Sequence, residues 1–218
     1  MSARDRILQR LREAAPQPLA APDMVAYRPP NAAGPTHADY LQSLRKNLEA
    51  ARAEIHEADS ESWQRKVAEI CAAKGVRTLM LPPDGIDLPA WQGGPQLRRF
   101  DRALEAHKDA LFNEVDAGLC RADGAIADTG LLVLLSSPSQ PRTLSLVPPI
   151  NICLVDTDRL YADLPSALRG ADWAAGMPTN LIFISGPSKT ADIQQTLAYG
   201  AHGPKELVVI LISRGAAA

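Results

Sequence analysis

The sequence predicts an α/β fold built on an open, mostly parallel sheet of Rossmann-like type. Short and continuously apolar runs recur through the second half: "VDAGLC" (115–120), "LLVLLSS" (131–137), "INICLV" (150–155), "NLIFIS" (180–185) and "LVVILI" (207–212). Strands read this way when both faces are buried, as in a parallel sheet covered by helices. Stretches of helical spacing lie between the runs, and the connections are short. The first half carries the same alternation in a weaker form.

In chain order, residues 3 to 14 place Ile7, Leu8 and Leu11 at helical spacing, with arginines on the other faces. The stretch "PQPLAAPDMVAYRPPNAAGP" (16–35) is rich in proline and alanine. Proline lacks an amide donor and restricts its predecessor, so an extended linker is expected here. The chain therefore divides at about this point, with a helix and linker over 1–35 and an α/β domain over 36–218. From Thr36 a second helix is expected, with Leu41, Leu44, Leu48 and Ile55 on one face. A third follows, turning Trp63, Val67, Ile70 and Cys71 inward and ending at Gly75. "VRTLMLP" (76–82) reads as a strand closed by prolines. Between the later strands, Leu160–Ala175 and Thr190–Tyr199 read as helices.

Composition sets the broad class. The chain has 218 residues, 46% of them apolar, which is ample for one sizeable core. Its net charge of −2 offers no basic field to attract nucleic acid. No apolar run approaches the ~20 residues of a membrane span. The first residues lack the apolar stretch of a signal peptide, so a cytoplasmic location is expected. Cys71, Cys120 and Cys153 form no closely spaced ligand pair, so no metal or cluster site is expected in this chain. They read as small buried hydrophobes in a reducing compartment.

Four segments carry polar groups in places where chemistry is done. "SGPSKTAD" (185–192) follows a strand and is expected to enter a helix, whose first amides lack partners and favour anions. Ser185, Gly186, Ser188, Lys189, Thr190 and Asp192 then form a corner suited to a carboxylate or phosphate. The equally weighted structural reading is a capped helix with a solvated lysine. "SSPSQPRTLSL" (136–146) offers Ser136, Ser137, Ser139, Arg142 and Thr143, either as a polar turn with a surface arginine or as a site where Arg142 grips a carboxylate. Asp128, Thr129 and Gly130 form a turn before a strand, where the aspartate either caps its own turn or acts on a ligand. His202, held between glycines in "GAHGP", is either a structural turn residue or a candidate acid or base. In an all-parallel sheet, His202 and Asp128 would lie at the opposite edge from Lys189 and Arg142. They could share a pocket only through a reversed strand or a second subunit. Gly-x-Gly-x-x-Gly, Walker, Gly-x-Ser-x-Gly and His-Glu-x-x-His motifs are absent.

Taken together, "AIADTGLLVLLS", "RTLSLVPPINICLV" and "ISGPSKTADIQQTLAYGAHGPKELVVILI" resemble the LUD-domain family, in its lactate utilisation protein C (LutC) branch. The resemblance spans roughly residues 110 to 213, and the last string is the most specific. It implies a three-layer α/β/α sandwich of the NagB/RpiA/CoA-transferase-like type, with the first helix as an appendage. It also implies a part in bacterial oxidation of L-lactate to pyruvate beside partner subunits that carry iron–sulfur clusters. The matching residues are Asp128, Thr129, Gly130, Ser185, Gly186, Pro187, Ser188, Thr190, Asp192, His202 and Gly203. Two positions depart from the family's usual wording: Asp128 stands where glutamate is common, and Asn151 where histidine is common. On this reading the chain is a component of a lactate-oxidising complex that binds a small carboxylate or phosphate, or a partner's acidic segment, through Lys189, Arg142 and the amides after Gly186. An independent enzyme acting on a phosphorylated or CoA- or folate-type substrate is the alternative. A pure assembly module is a third.

Overall fold

A computed structural model describes residues 2–14, 35–170, 180–191, 197–200 and 202–213. The chain divides into two units, residues 1–32 and 33–218. In the first, helix α1 (Ala3–Glu13) opens on a capping box. The Ser2 hydroxyl accepts from the Asp5 amide, and the Asp5 carboxylate accepts from the Ser2 amide at 2.9 Å. Two amides that a helix start leaves orphaned are thereby satisfied. The expected proline-rich linker falls, through residue 34, outside the described residues.

The second unit begins with α2 (His37–Ala50), capped in the same way by Thr36 and Asp39. Leu44 and Leu48 are buried on its inner face, with Leu41 packed beside them. The sequence pattern carried this face on to Ile55, and the structure corrects it. Arg52 takes a φ of 69°, a left-handed conformation that stops the helix. Ile55 lies instead on β1 (Glu54–Asp59), whose polar sequence is that of a sheet edge. Helix α3 (Trp63–Lys74) then buries Val67, Ile70 and Cys71, and Gly75 ends it with a φ of 65°.

The chain continues through β2 (Thr78–Leu81), β3 (Gln96–Arg99), α4 (Leu104–Asn113), β4 (Ala117–Arg121), β5 (Gly124–Ile126) and β6 (Leu131–Leu135). Next come α5 (Arg142–Leu146), β7 (Ile150–Asp156), β8 (Leu160–Tyr161) and α6 (Leu164–Gly170). The last elements are β9 (Leu181–Ile184), β10 (Lys189–Ala191), β11 (Leu197–Tyr199) and β12 (Glu206–Ser213). The predicted helix over 160–175 is thus a short strand followed by α6, and residues 171–175 lie outside the described residues.

Six strands form one parallel sheet in the order β1-β12-β7-β4-β2-β3. Successive side chains on a strand point to opposite faces, so each central strand feeds two cores. On one face, Val67, Ile70 and Cys71 of α3 meet Leu119, Ile152, Leu154, Val208 and Ile210. On the other, Leu44 and Leu48 of α2 meet Cys120, Cys153, Val155, Val209 and Leu211. Further along that face, Leu111 of α4 and Leu144 of α5 cover Met80. The arrangement is a Rossmann-like α/β fold with a parallel sheet between helical layers. No described helix is long and apolar enough to cross a membrane.

All five apolar runs are strands, yet two of them leave the parallel sheet. β6 and β9 belong to a second sheet, β8-β5-β6-β9, in which β6 runs antiparallel to both β5 and β9. A four-residue turn joins β5 to β6, and so short a link permits only antiparallel neighbours. β6 is still continuously apolar because it is covered on both faces, whereas β9 is partly covered and leaves Phe183 exposed. Leu132 and Leu134 join the core beneath α2, while Ile126 and Val133 pack with Ala167 of α6.

Helix α5 lies on β4 at Gly118, where an added Cβ would stand 2.2 Å from the Leu144 carbonyl oxygen. Gly118→Ala is therefore expected to cost about 1–3 kcal/mol by overpacking. Urea unfolding would show a lowered midpoint at unchanged slope. Wild-type stability in that variant would mean that α5 and β4 are not in contact.

Candidate functional site

Two of the three family-like strings meet at one place, the one around Asn151 and the one from Ser185 to Leu207. β9 delivers the chain to Ser185–Gly186–Pro187–Ser188 beside the end of α2. A Cβ on Gly186 would stand 2.5 Å from the Ala51 carbonyl oxygen, so glycine is what lets the loop pass. The Ser188 amide donates to Pro204 O at 2.8 Å, and the Gly200 amide donates to Ser188 O at 2.9 Å. Gly203 fits against Ser188 with 3.1 Å left for a Cβ. The amides of Lys205 and Glu206 both donate to Pro149 O, at 2.7 and 3.1 Å. Backbone pairing thus ties "SGPSK" to "HGPKE", and that segment in turn to "VPPIN".

A cleft of about 230 Å³ opens between them. Ser145, Asn151, Ser185, Ser188 and His202 supply its polar lining, and Leu146, Ile182, Ile184 and Leu207 its apolar wall. His202 is exposed at the rim, whereas Asn151 is only 1% exposed. Asn151 is the second residue of β7, flanked in register by Gly118 on β4 and Leu207 on β12. Its Oδ1 accepts from the Cys120 thiol at 3.2 Å. Its Nδ2 is buried and has no partner among the described residues. An unsatisfied buried donor costs roughly 1–3 kcal/mol, and a ligand acceptor would recover it. Contact with Cys153 and burial push the Cys120 thiol well up, which keeps it protonated as a donor. That donor takes the amide oxygen and leaves Nδ2 as the unpaired group.

The expected anion corner is built differently. Residues 189–191 and 197–199 are paired antiparallel strands, not a helix, and 192–196 lie outside the described residues. No helix N-terminus therefore stands at Ser188–Thr190. Sequence alone missed this because the pairing of β10 with β11 is a contact between segments, not a local pattern. The loop also lies at the amino ends of β7 and β12, since β9 is outside the parallel sheet. This reversal is what brings His202 and Ser188 into one cleft.

Other candidates fall elsewhere. Lys189 is exposed on β10 and Arg142 is exposed at the start of α5, both outside the described lining of the cleft. Thr190 lies on β10, and Asp192 is outside the described residues. Asp128, Thr129 and Gly130 form the β5–β6 turn, seated on α2. Asn47 Nδ2 donates to the carbonyls of Ala127 and Asp128, each at 2.9 Å. Gly130 has a φ of 65° and leaves only 2.6 Å between a Cβ and Asn47. The Asp128 and Thr129 side chains are exposed. Ser145 and the buried role of Asn151 were not signalled by sequence, because neither residue type announces burial. The described residues hold no group of three or more His, Cys, Asp or Glu placed to bind a metal.

A LUD-domain family model matches residues 41–212, and the chain belongs to the LUD-domain family. It is 39% identical over 219 residues to an uncharacterised protein of Neisseria meningitidis serogroup B, covering 97% of this chain and 94% of that one. It is 33% identical over 151 residues to lactate utilization protein C of Halalkalibacterium halodurans, covering 67% of this chain and 66% of that one. The crystal structure of a DUF162 family protein from Deinococcus radiodurans shares the fold, with a TM-score of 0.61 at 23% identity. That match covers 82% of this chain and 99% of the other.

The cysteines give a direct check on the core around the cleft. All three are free and buried, and burial pushes the Cys71 thiol up to about 11. Ellman's reagent at mildly alkaline pH is expected to titrate no thiol in the native protein and three in denaturant. Rapid labelling of Cys120 in the native state would contradict the closed floor beneath Asn151.

Proposed function

We propose that this chain is a component of an L-lactate utilisation system, and that the cleft at Asn151 binds a small carboxylate. Relatives named lactate utilization protein C support the first part. The unpaired Nδ2 of Asn151 carries the second. It is a buried donor in a cleft that also offers the Ser185 and Ser188 hydroxyls, and a carboxylate supplies acceptors to all three; the Ser145 hydroxyl already donates to Arg142 O. The wall of Ile182, Ile184 and Leu207 suits the methyl group of a three-carbon acid. His202 at the rim is the group to meet a substrate hydroxyl and its proton. Oxidation of lactate to pyruvate breaks the C2–H and O–H bonds and releases two electrons and two protons. In this reading this chain would hold the acid, His202 would take the hydroxyl proton, the C2 proton would pass to solvent, and iron–sulfur clusters on partner subunits would be the electron acceptor.

Isothermal titration with L-lactate and pyruvate is the direct test. The wild type is expected to bind at least one of them, and Asn151→Leu, similar in size, to bind roughly tenfold to hundredfold more weakly. Ser188→Ala, outside the core, is expected to weaken binding in the same direction. No heat with either acid, with partners present or absent, would overturn the carboxylate reading. Undiminished growth on L-lactate after deletion of the gene would overturn the lactate role.

A further inference from the structure

The parallel sheet reverses its winding between β2 and β4. From β2 the chain steps outward to β3, returns past β2 to β4, and continues away through β7 and β12. Loops leaving β2 and β4 diverge at their carboxyl ends, and such switch points are where open α/β sheets hold ligands. A crevice of about 330 Å³ lies there, lined from Pro82 after β2 and from Arg121 at the end of β4. It stands at the opposite end of the strands from Asn151.

Its polar parts are held in place by named contacts. Arg121 Nη1 donates to both oxygens of Asp156, at 2.8 and 2.9 Å, and the guanidinium lies 5.8 Å from the Trp63 ring. The Arg121 amide donates to Gln140 Oε1 at 3.0 Å, which ties the 136–140 loop to β4. The Gln140 amide donates to Ser137 Oγ at 3.1 Å, and the Ser137 and Ser139 hydroxyls are 2.9 Å apart. Half-buried Asp123 accepts the Leu135 amide on Oδ2 at 2.7 Å. Burial pushes its carboxyl above the usual range, and nearby Arg159 draws it back.

Four charged groups line the crevice: Arg121, Arg159, Asp84 and Asp123. Asp156 neutralises Arg121, so the cation left to face a ligand is Arg159, set against two carboxylates. A plain anion would meet net repulsion here, and a polyanion more. A molecule with one carboxylate and one ammonium matches both signs, and Pro82, Ile86 and Leu135 supply an apolar pocket beside them.

We propose that this crevice is a second binding site, for a zwitterionic aliphatic α-amino acid. Its carboxylate pairs with Arg159 and the serine hydroxyls, its ammonium with Asp123 and Asp84, and its side chain with Ile86 and Leu135. The site is independent of the lactate reading.

Three probes with one skeleton test this: L-leucine, L-2-hydroxy-4-methylpentanoate and 4-methylpentanoate, which carry an ammonium, a hydroxyl or only hydrogen at C2. Each is titrated into ¹⁵N-labelled full-length protein and followed by amide shifts. L-leucine is expected to shift the amides of residues 121–123 and 136–140 saturably and to raise Tm. The other two are expected to bind at least tenfold more weakly. Arg159→Gln, an exposed change, is expected to lose tenfold or more for L-leucine. Asp123→Asn is expected to remove the preference for ammonium over hydroxyl. Absence of saturable shifts with L-leucine, equal binding of 4-methylpentanoate, or an unaffected Arg159→Gln would each overturn the proposal. Shifts confined to residues around Asn151 and Ser188 would also overturn it, by moving the ligand to the other cleft.

Discussion

The parallel pairing of β12 between β1 and β7 is the constraint on which the rest of the molecule depends. Residues 207–212 are all buried, alternating between the core under α2 and the core under α3. Their partners lie far away in sequence: Ile55 pairs with Val209, and Cys153 with Val209 from the other side. Remove that strand and β1 loses its neighbour, both cores lose their middle, and Leu207 no longer walls the cleft. Pairings of such separation pay their loop-closure entropy before burial rewards them. The sheet is therefore completed only when the last segment of the chain arrives.

The second sheet is what converts this frame into a place for ligands. It lies under α2, with Asn47 gripping the β5–β6 turn and Leu132 and Leu134 reaching into the main core. Because β9 runs against β6, it carries Ser185 and Ser188 to the amino ends of β7 and β12. Gly186 and Gly203 then allow backbone to approach backbone, and Ser188 is fixed by its own amide and carbonyl. Such a site owes its geometry to strand direction and glycine clearance more than to any single charged group. The two clefts divide the sheet between them: a neutral, donor-rich one at the amino ends and a mixed-charge one at the carboxyl ends.

Much of this was legible in the residues. Continuous apolar runs marked strands, and every such run is one; four lie largely buried, while β9 is only partly covered and leaves Phe183 exposed. Helix α3 and its Gly75 stop were readable, as was "DTG" as a turn, though not its seat on Asn47. Three readings failed for physical reasons that local patterns do not carry. β1 is too polar to look like a strand, since edge strands avoid apolar sequence. The segment after Ser188 has helical composition but is claimed by hairpin pairing. Arg142 and Lys189 carry charge in suggestive strings, yet the fold turns both outside the lining of the cleft.

By itself the sequence determined which segments are buried, where helices begin and end at Thr36 and Gly75, and which family's strings the chain repeats. These follow from hydrophobic periodicity, capping chemistry and φ preference, all of which act within a few residues. Only the tertiary structure decided which strands run backwards, that Asn151 Nδ2 is left without a partner among the described residues in the cleft of Ser188 and His202, and that Arg159 and Asp123 line one crevice at the switch point. Those facts depend on pairings between separate segments, from 12 residues apart for Asp123 and Leu135 to 154 apart for β1 and β12, where direction and register are set by what each segment finds to bury against.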